Sequence, residues 1–302
     1  MNCIDQVVTD TYTAIHGDCV EALKGLPDHS IGYSIFSPPF SSLYTYSNSP
    51  RDMGNCRSDA EFFEHFQFLV RELLRVMKPG RNVSFHCMQL PTSKERDGVI
   101  GLKDFRGELI RAFQAEGFIY ASEVTIWKDP VTSMQRTKAL GLLHKTVRGN
   151  AAMCRQGIAD YLVTMRAPGE SERVTHGAEY PVDLWQKIAS PVWMDINPSD
   201  TLQYRSAREH DDERHIAPLQ LEVIRRGIML WTNPGDIVLT PFLGIGSEAY
   251  VALQMGRRAV GVELKKSYFD QAVRNLAAAQ THQETGLFAD AEDNGEELEE
   301  AA

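Results

Sequence analysis

Residues 236–263 read DIVLTPFLGIGSEAYVALQMGRRAVGVE, and the order of features within them decides the fold. Asp236 to Thr240 is a short apolar run of strand type, Ser247 to Met255 reads as a helix, and Ala259 to Glu263 is a second strand. Between the first strand and the helix lies Pro241-Phe242-Leu243-Gly244-Ile245-Gly246-Ser247. Glycines in such a loop let the backbone approach a ligand closely, and the helix start presents free N–H groups. Glu263, at the carboxyl end of the second strand, can accept two hydrogen bonds from ribose hydroxyls. In outline this is a nucleoside-cofactor site. Gly244-x-Gly246-x-x-Ala249 also satisfies the dinucleotide fingerprint. A methyl donor, a dinucleotide and a tight turn with no ligand all stay open at this point.

The same alternation extends outward on both sides. A helix over Leu219–Leu230 precedes the quoted stretch, and one over Ser267–Ala279 follows it. Nearer the N-terminus, Tyr12–Ile15 is β-prone, Asp18 is placed to cap a helix over Val20–Leu26, and Ile31–Phe36 is an apolar strand. Residues 41–58 read as a loop. Phe62, Phe66, Leu69, Val70 and Leu73 recur at helical spacing within Ala60–Met77. Lys78-Pro79-Gly80 stops that helix, a strand follows over Asn82–Cys87, then a helix over Phe105–Glu116 and a strand over Ile119–Trp127, with Trp127 expected in the core. Such alternation predicts an α/β fold with a doubly wound, mostly parallel, Rossmann-like sheet. The periodicity fades after that. Four segments are expected: 1–127 and 214–280 as the two halves of the sheet domain, 128–213 as an inserted region, and 281–302 as a disordered acidic tail.

The composition bounds the setting. The chain has 302 residues, 43% apolar and 24% charged, as a globular protein with one full core would have. No stretch approaches the roughly 18 apolar residues of a membrane span. The start, Met1-Asn2-Cys3-Ile4-Asp5, lacks the basic and apolar regions of a secretion signal. Five scattered cysteines without a Cys-x-x-Cys pair point to reduced thiols in the cytoplasm, with neither a disulfide framework nor a metal site. Net charge is −10, yet residues 284–302 hold eight acids and no Lys or Arg, so the rest of the chain carries only −2. Between Lys128 and Arg166 there are seven Lys or Arg against two acids. Such a strip suits phosphate contacts, or is simply a solvated surface.

A second constellation stands at the end of the 31–36 strand: Ser37-Pro38-Pro39-Phe40. Two prolines give a rigid backbone with no N–H, so their carbonyls are fixed acceptors suited to an amino group's hydrogens. Ser37 adds a hydroxyl, and Phe40 a ring on which a base can stack. Acceptors that hold an exocyclic amine favour a more tetrahedral nitrogen, whose lone pair can then attack a methyl group in line. A plain strand-ending turn would leave the same four residues.

Taken together, these motifs resemble the amino-methylating DNA methyltransferases of the β arrangement, in which the catalytic motif precedes the cofactor loop. The resemblance rests on His16-Gly17-Asp18-Cys19, Leu26-Pro27-Asp28-His29-Ser30, Ser37-Pro38-Pro39-Phe40, LLRVMKPG over 73–80, Trp231 to Asp236, the PFLGIG loop and Gly256 to Glu263. It covers roughly 12–127 and 214–276, and orphan methylases of phages and prophages look most similar, beside those of restriction-modification systems. It implies S-adenosyl-L-methionine as cofactor and double-stranded DNA as partner, with no metal, no membrane, and a homodimer as an option. Ser37, Pro38, Pro39 and Phe40 would hold the flipped base. Pro241, Phe242, Gly244, Gly246, Ser247 and Glu263 would hold the donor, and Asp18 would meet its adenine. Lys138, Lys145, Arg148 and Arg155, in the expected target-recognition region, would grip phosphates. Thr240 departs from the family, where an acidic or amide residue often stands. Serine before Pro-Pro tilts the target toward cytosine N4 over adenine N6. Methylation of RNA or a protein amide, a nicotinamide-dependent oxidoreductase, and a DNA binder without catalysis are the rival readings.

Overall fold

A computed structural model describes residues 3–40, 52–56, 58–137, 141–155, 157–175, 180–203 and 218–281. A hairpin of β1 (Asp5–Val8) and β2 (Tyr12–His16) is followed by α1 (Cys19–Lys24), β3 (Tyr33–Phe36), α2 (Asp59–Val76) and β4 (Asn82–Met88). A ribbon of β5 (Leu90–Pro91) and β6 (Leu102–Lys103), with the short α3 (Lys94–Asp97) between them, precedes α4 (Phe105–Ala115) and β7 (Ile119–Ile126). Next come α5 (Pro130–Thr137), α6 (His144–Gly149), β8 (Asp160–Arg166), α7 (Val182–Ile188) and β9 (Val192–Trp193). The chain continues through α8 (Leu221–Trp231), β10 (Ile237–Thr240), α9 (Ser247–Gln254) and β11 (Arg258–Glu263) to a helix, α10, over 266–281.

Local chemistry explains the boundaries. Ser58 caps α2 by accepting from the Glu61 N–H at 3.2 Å, the start of a capping box. Phe62, Phe66, Leu69, Val70, Leu73 and Val76 form its buried stripe. Asp18 caps α1 as expected, accepting from the Glu21 N–H at 3.0 Å.

The main sheet runs β1-β2-β11-β10-β3-β4-β8-β7-β9. Its centre, from β2 to β4, is parallel, and β8 is antiparallel to both β4 and β7. Side chains alternate across it, which separates the core into two layers. Ile15, Phe36, Phe85 and Val262 face α1, α2 and α4, whereas Ala14, Ile35 and Val238 face α8, α9 and α10. The sheet is therefore doubly wound and mostly parallel, as the sequence pattern predicted.

The inserted region drawn over 128–213 differs from the structure in that two of its stretches are strands of the main sheet. Val192–Trp193 is β9 at the sheet's edge, and the seven-residue Asp160–Arg166 is β8, inside it. Four of the seven residues are apolar or aromatic and most are buried on both faces, so period-two alternation is absent. Trp127 is a second correction, because it lies just past β7 and is 48% exposed. The core tryptophan of this region is Trp193, whose indole N–H donates to the Ile188 carbonyl at 2.9 Å. All five cysteines are free thiols. Among the described residues, no helix is long and apolar enough to cross a membrane. The acidic tail expected over 281–302, apart from residue 281, lies outside the described residues.

Candidate active site

β3 and β10 are neighbours, with Val238 opposite Tyr33 and Leu239 opposite Ser34. The Ser34 hydroxyl donates to the Leu239 carbonyl at 2.9 Å, joining positions 205 residues apart in sequence. From β10 the chain passes through α9 to β11 on one side, and from β3 through α2 to β4 on the other. The crevice at their carboxyl ends is thus a topological switch point, the place where open α/β sheets bind ligands. Ser37-Pro38-Pro39-Phe40 leaves one of these strands and the glycine loop leaves the other. Phe36 and Phe242 bridge them, ring centroids 5.7 Å apart.

One cavity is lined by Ser37, Pro38, Pro39 and Phe40 together with Asp18, Pro241, Phe242, Gly244, Ser247 and Glu263. Of the donor-loop residues named from sequence, only Gly246 stands outside the lining. It forms the N-cap of α9 at φ 94°, where a Cβ would meet Ala272 at 3.3 Å. Glu263 is held by the loop it faces: Oε2 accepts from the Gly244 N–H and Oε1 from the Lys265 N–H, both at 2.8 Å. Burial pushes its pKa up to about 7, against these two amides, which favour the carboxylate. The Ser247 hydroxyl is buried and has no hydrogen-bond partner among the described residues. Thr240 turns its hydroxyl back onto the Phe242 carbonyl at 3.3 Å, bracing the loop where the family often has an acid or amide.

The Ser-Pro-Pro side carries a network that sequence reasoning missed. Ser37 Oγ lies 3.2 Å from His86 Nδ1, and His86 Nε2 lies 2.9 Å from Asp160 Oδ2. The Lys128 ammonium also contacts Asp160. Burial works to raise the Asp160 pKa, but facing His86 and Lys128 outweigh it and hold the carboxyl below its usual range. His86 gave a weak signal, as an ionisable residue within an apolar strand; Asp160 gave none. Also unforeseen in the lining are Asp52, Met53, Pro218, Leu219 and Glu248, the last with its pKa raised to about 8 by burial. Among the described residues, no group of three His, Cys, Asp or Glu side chains is placed to hold a metal.

The four basic residues named for DNA separate. Lys145 and Arg148 are exposed on α6. Arg155 is half-buried and donates to the Gly101 carbonyl at 2.8 Å, so it braces a loop of the fold. Lys138 lies outside the described residues.

A doubly wound sheet thus sets a glycine loop ending on a carboxylate at its switch point, facing a rigid acceptor segment across one cavity. A family model described as DNA methylase, of the N6/N4 type, matches residues 33–274, and the chain belongs to that family. The type II methyltransferase M.BglII of Bacillus subtilis is 25% identical over 264 residues, which are 87% of this chain and 68% of the relative. The DNA adenine methyltransferase YhdJ of Escherichia coli (strain K12) is 23% identical over 279 residues, 88% of this chain and 83% of the relative. Among solved structures, the PvuII DNA methyltransferase (cytosine-N4-specific) superposes with a TM-score of 0.66 at 19% identity, covering 91% of this chain and 90% of that one. A DNA modification methylase of Thermus thermophilus, solved with S-adenosyl-L-methionine, gives 0.63 at 20% identity over 87% and 94%. These two likenesses establish the fold. Family membership removes the dinucleotide and oxidoreductase readings of the glycine loop.

Proposed function

We propose that this DNA methyltransferase transfers a methyl group to the exocyclic N4 of a cytosine flipped out of double-stranded DNA. S-adenosyl-L-methionine is the cofactor of its family and supplies a methyl group carried on a positively charged sulfur. The residues fit that donor. The Glu263 carboxylate has lone pairs left for ribose hydroxyls beyond its two amide bonds; among the described residues, the buried Ser247 hydroxyl has no partner and Gly244 has nothing within 4 Å of where a Cβ would stand. Pro241, Phe242 and Asp18 line the same space.

On the opposite wall, the Ser37 hydroxyl and the carbonyls of the Ser-Pro-Pro segment are acceptors for the target amine. Phe40 offers its ring to the base. The contribution of these groups is position and electrostatics, which set the nitrogen lone pair in line with the methyl carbon. Extruding the base costs a few kcal/mol, and exposed Lys145 and Arg148 are suited to the flanking phosphates. The 128–213 segment, apart from its two sheet strands, is read as the target-recognition region, and with bacterial or phage DNA as substrate the work would be done in the cytoplasm.

One observation carries this reading: the Ser-Pro-Pro-Phe segment and the glycine loop with Glu263 line a single cavity. Serine at position 37 tilts the reading toward cytosine, as the sequence resemblance implies, whereas the likeness to YhdJ, a DNA adenine methyltransferase, favours adenine N6. Incubation with methyl-labelled S-adenosyl-L-methionine, then duplex DNA or RNA, tests the substrate class. Label on duplex DNA is expected. Label on RNA alone, or on the protein fraction, overturns it.

A further inference from the structure

His86 and Asp160 lie behind the acceptor wall and have no part in the reading above. Deleting a positive charge from the sulfur while joining carbon to nitrogen leaves the product nitrogen with one proton too many. The nitrogen–carbon bond forms as the carbon–sulfur bond breaks, its electron pair stays on sulfur, and the proton must leave the nitrogen. On the acceptor wall of the cavity the side-chain hydroxyl is that of Ser37, and behind it stands His86 Nδ1 at 3.2 Å.

We propose that His86 is the proton acceptor and positioning residue of methyl transfer, acting through the Ser37 hydroxyl, with Asp160 fixing its tautomer. The inference rests on the amine-methylation reading of the same cavity. Its geometry is directional. The Asp160 carboxylate accepts from Nε2–H at 2.9 Å, which leaves Nδ1 as the acceptor. Nδ1 then takes the Ser37 O–H, and the oxygen's lone pairs are left for the target amine. As the amine's proton passes to Ser37 Oγ, the hydroxyl proton passes to Nδ1, and Asp160 faces the imidazolium so formed. The proton is afterwards lost to solvent. The same logic of carboxylate, imidazole and hydroxyl operates in unrelated hydrolases.

The placement is costly for a purely structural motif. Asp160 is 1% exposed and His86 9%, in a strand whose other buried residues are Val83, Ser84, Phe85, Cys87 and Met88. Apolar residues of similar volume in place of a buried ion pair are often neutral or stabilising. The charged groups facing His86 are Asp160 from β8 and Lys128 from the segment after β7. Arg106 stacks 4.4 Å from the Tyr161 ring, and Tyr161 points to the face opposite Asp160, so Arg106 and its partner Glu123 lie across the sheet.

The test uses single-turnover methyl transfer to duplex DNA by the full chain at saturating donor, across about pH 5 to 8, where an imidazole titrates. The wild-type rate is expected to fall toward acid, as it does when a proton acceptor must be neutral to act. His86→Asn keeps an acceptor near Ser37 but accepts no proton, and it is expected to slow transfer about 100-fold and flatten the pH profile. Asp160→Asn presents an amide N–H to Nε2, turns the tautomer over, and is expected to slow transfer similarly; it carries the test if His86→Asn does not fold. Donor binding by calorimetry is expected to match wild type in both. A wild-type rate in both variants, or a slowed rate with the pH profile unchanged, overturns the proposal. A wild-type enzyme that transfers nothing to DNA overturns the amine-methylation reading along with it.

Discussion

Ser37 lines the cavity from the acceptor side, with its hydroxyl 3.2 Å from His86 Nδ1. Its hydroxyl is the side-chain acceptor of the Ser-Pro-Pro segment, and removing one pre-placed polar group from a reaction centre costs on the order of 100-fold in rate. Ser37→Ala is therefore expected to slow single-turnover transfer by about that factor while leaving calorimetric donor affinity unchanged. Glu263 gives the opposite signature, in binding. Its pKa is raised to about 7, so in the free enzyme it takes up a proton as pH falls through that value. In the proposed role ribose hydroxyls donate to the carboxylate, so donor affinity is expected to be full above pH 7 and to weaken below it. The expected slope is about tenfold per pH unit, read by calorimetry, and Glu263→Gln is expected to bind weakly at every pH with that slope gone. Ser37 and Glu263 were legible in the sequence because proline pairs, paired glycines and a strand-end carboxylate carry their chemistry locally. His86 and Asp160 were not. They are 74 residues apart and meet through the antiparallel register of β4 and β8, which no local spacing announces.

At the scale of elements, the start of α9 presents the donor loop. Gly246, at φ 94°, sits where a side chain is strained and where Ala272 crowds the Cβ position at 3.3 Å. Gly246→Val is expected to lower stability by about 1–3 kcal/mol and to weaken donor binding, checked by urea titration and calorimetry. A second element contact ties the segment before α8 to the sheet domain. Buried Arg226 donates to both Asp195 oxygens at 3.1 and 2.7 Å and to Glu222 at 2.9 Å, and stacks 4.9 Å from the Trp193 ring. Hydrogen bonds from Arg226 hold the Asp195 carboxyl below its usual range, so this contribution is present above the ordinary carboxylate pKa and is lost on acidification. Asp195→Ala is expected to cost about 1–3 kcal/mol near neutral pH, and less in acid. A loss that stays constant with pH would contradict the assignment. Helices such as α2 were legible because one face is a continuous apolar stripe. β8 was hidden because a strand buried on both faces has no alternation to read, and the polar stretches flanking it suggested a surface region.

For the whole molecule, the motifs at positions 37–40 and 241–247 are remote in sequence and adjacent in space because β3 and β10 are paired at the switch point. That juxtaposition was legible from motif order and family resemblance, whereas the path of 128–213 was not, since two of its strands belong to the sheet and its remaining parts lack periodicity. Charge follows the same division. Lys145 and Arg148 are exposed, Arg155 is a brace, and only the first two are expected to matter for phosphates. Lys145→Ala and Arg148→Ala should each weaken duplex binding alike for all sequences and lower the salt slope by about one, measured by fluorescence anisotropy across a salt series. An unchanged slope would return both residues to ordinary solvated surface. The central claim is tested most directly by expressing the chain in a bacterial host free of DNA methylation, digesting its DNA to nucleosides and weighing them by mass spectrometry, with Ser37→Ala alongside. The account predicts N4-methylcytosine from the wild type and its loss from the variant. N6-methyladenine would contradict the choice of base, and no modified nucleoside from the wild type, or one that persists undiminished in Ser37→Ala, would contradict the site itself.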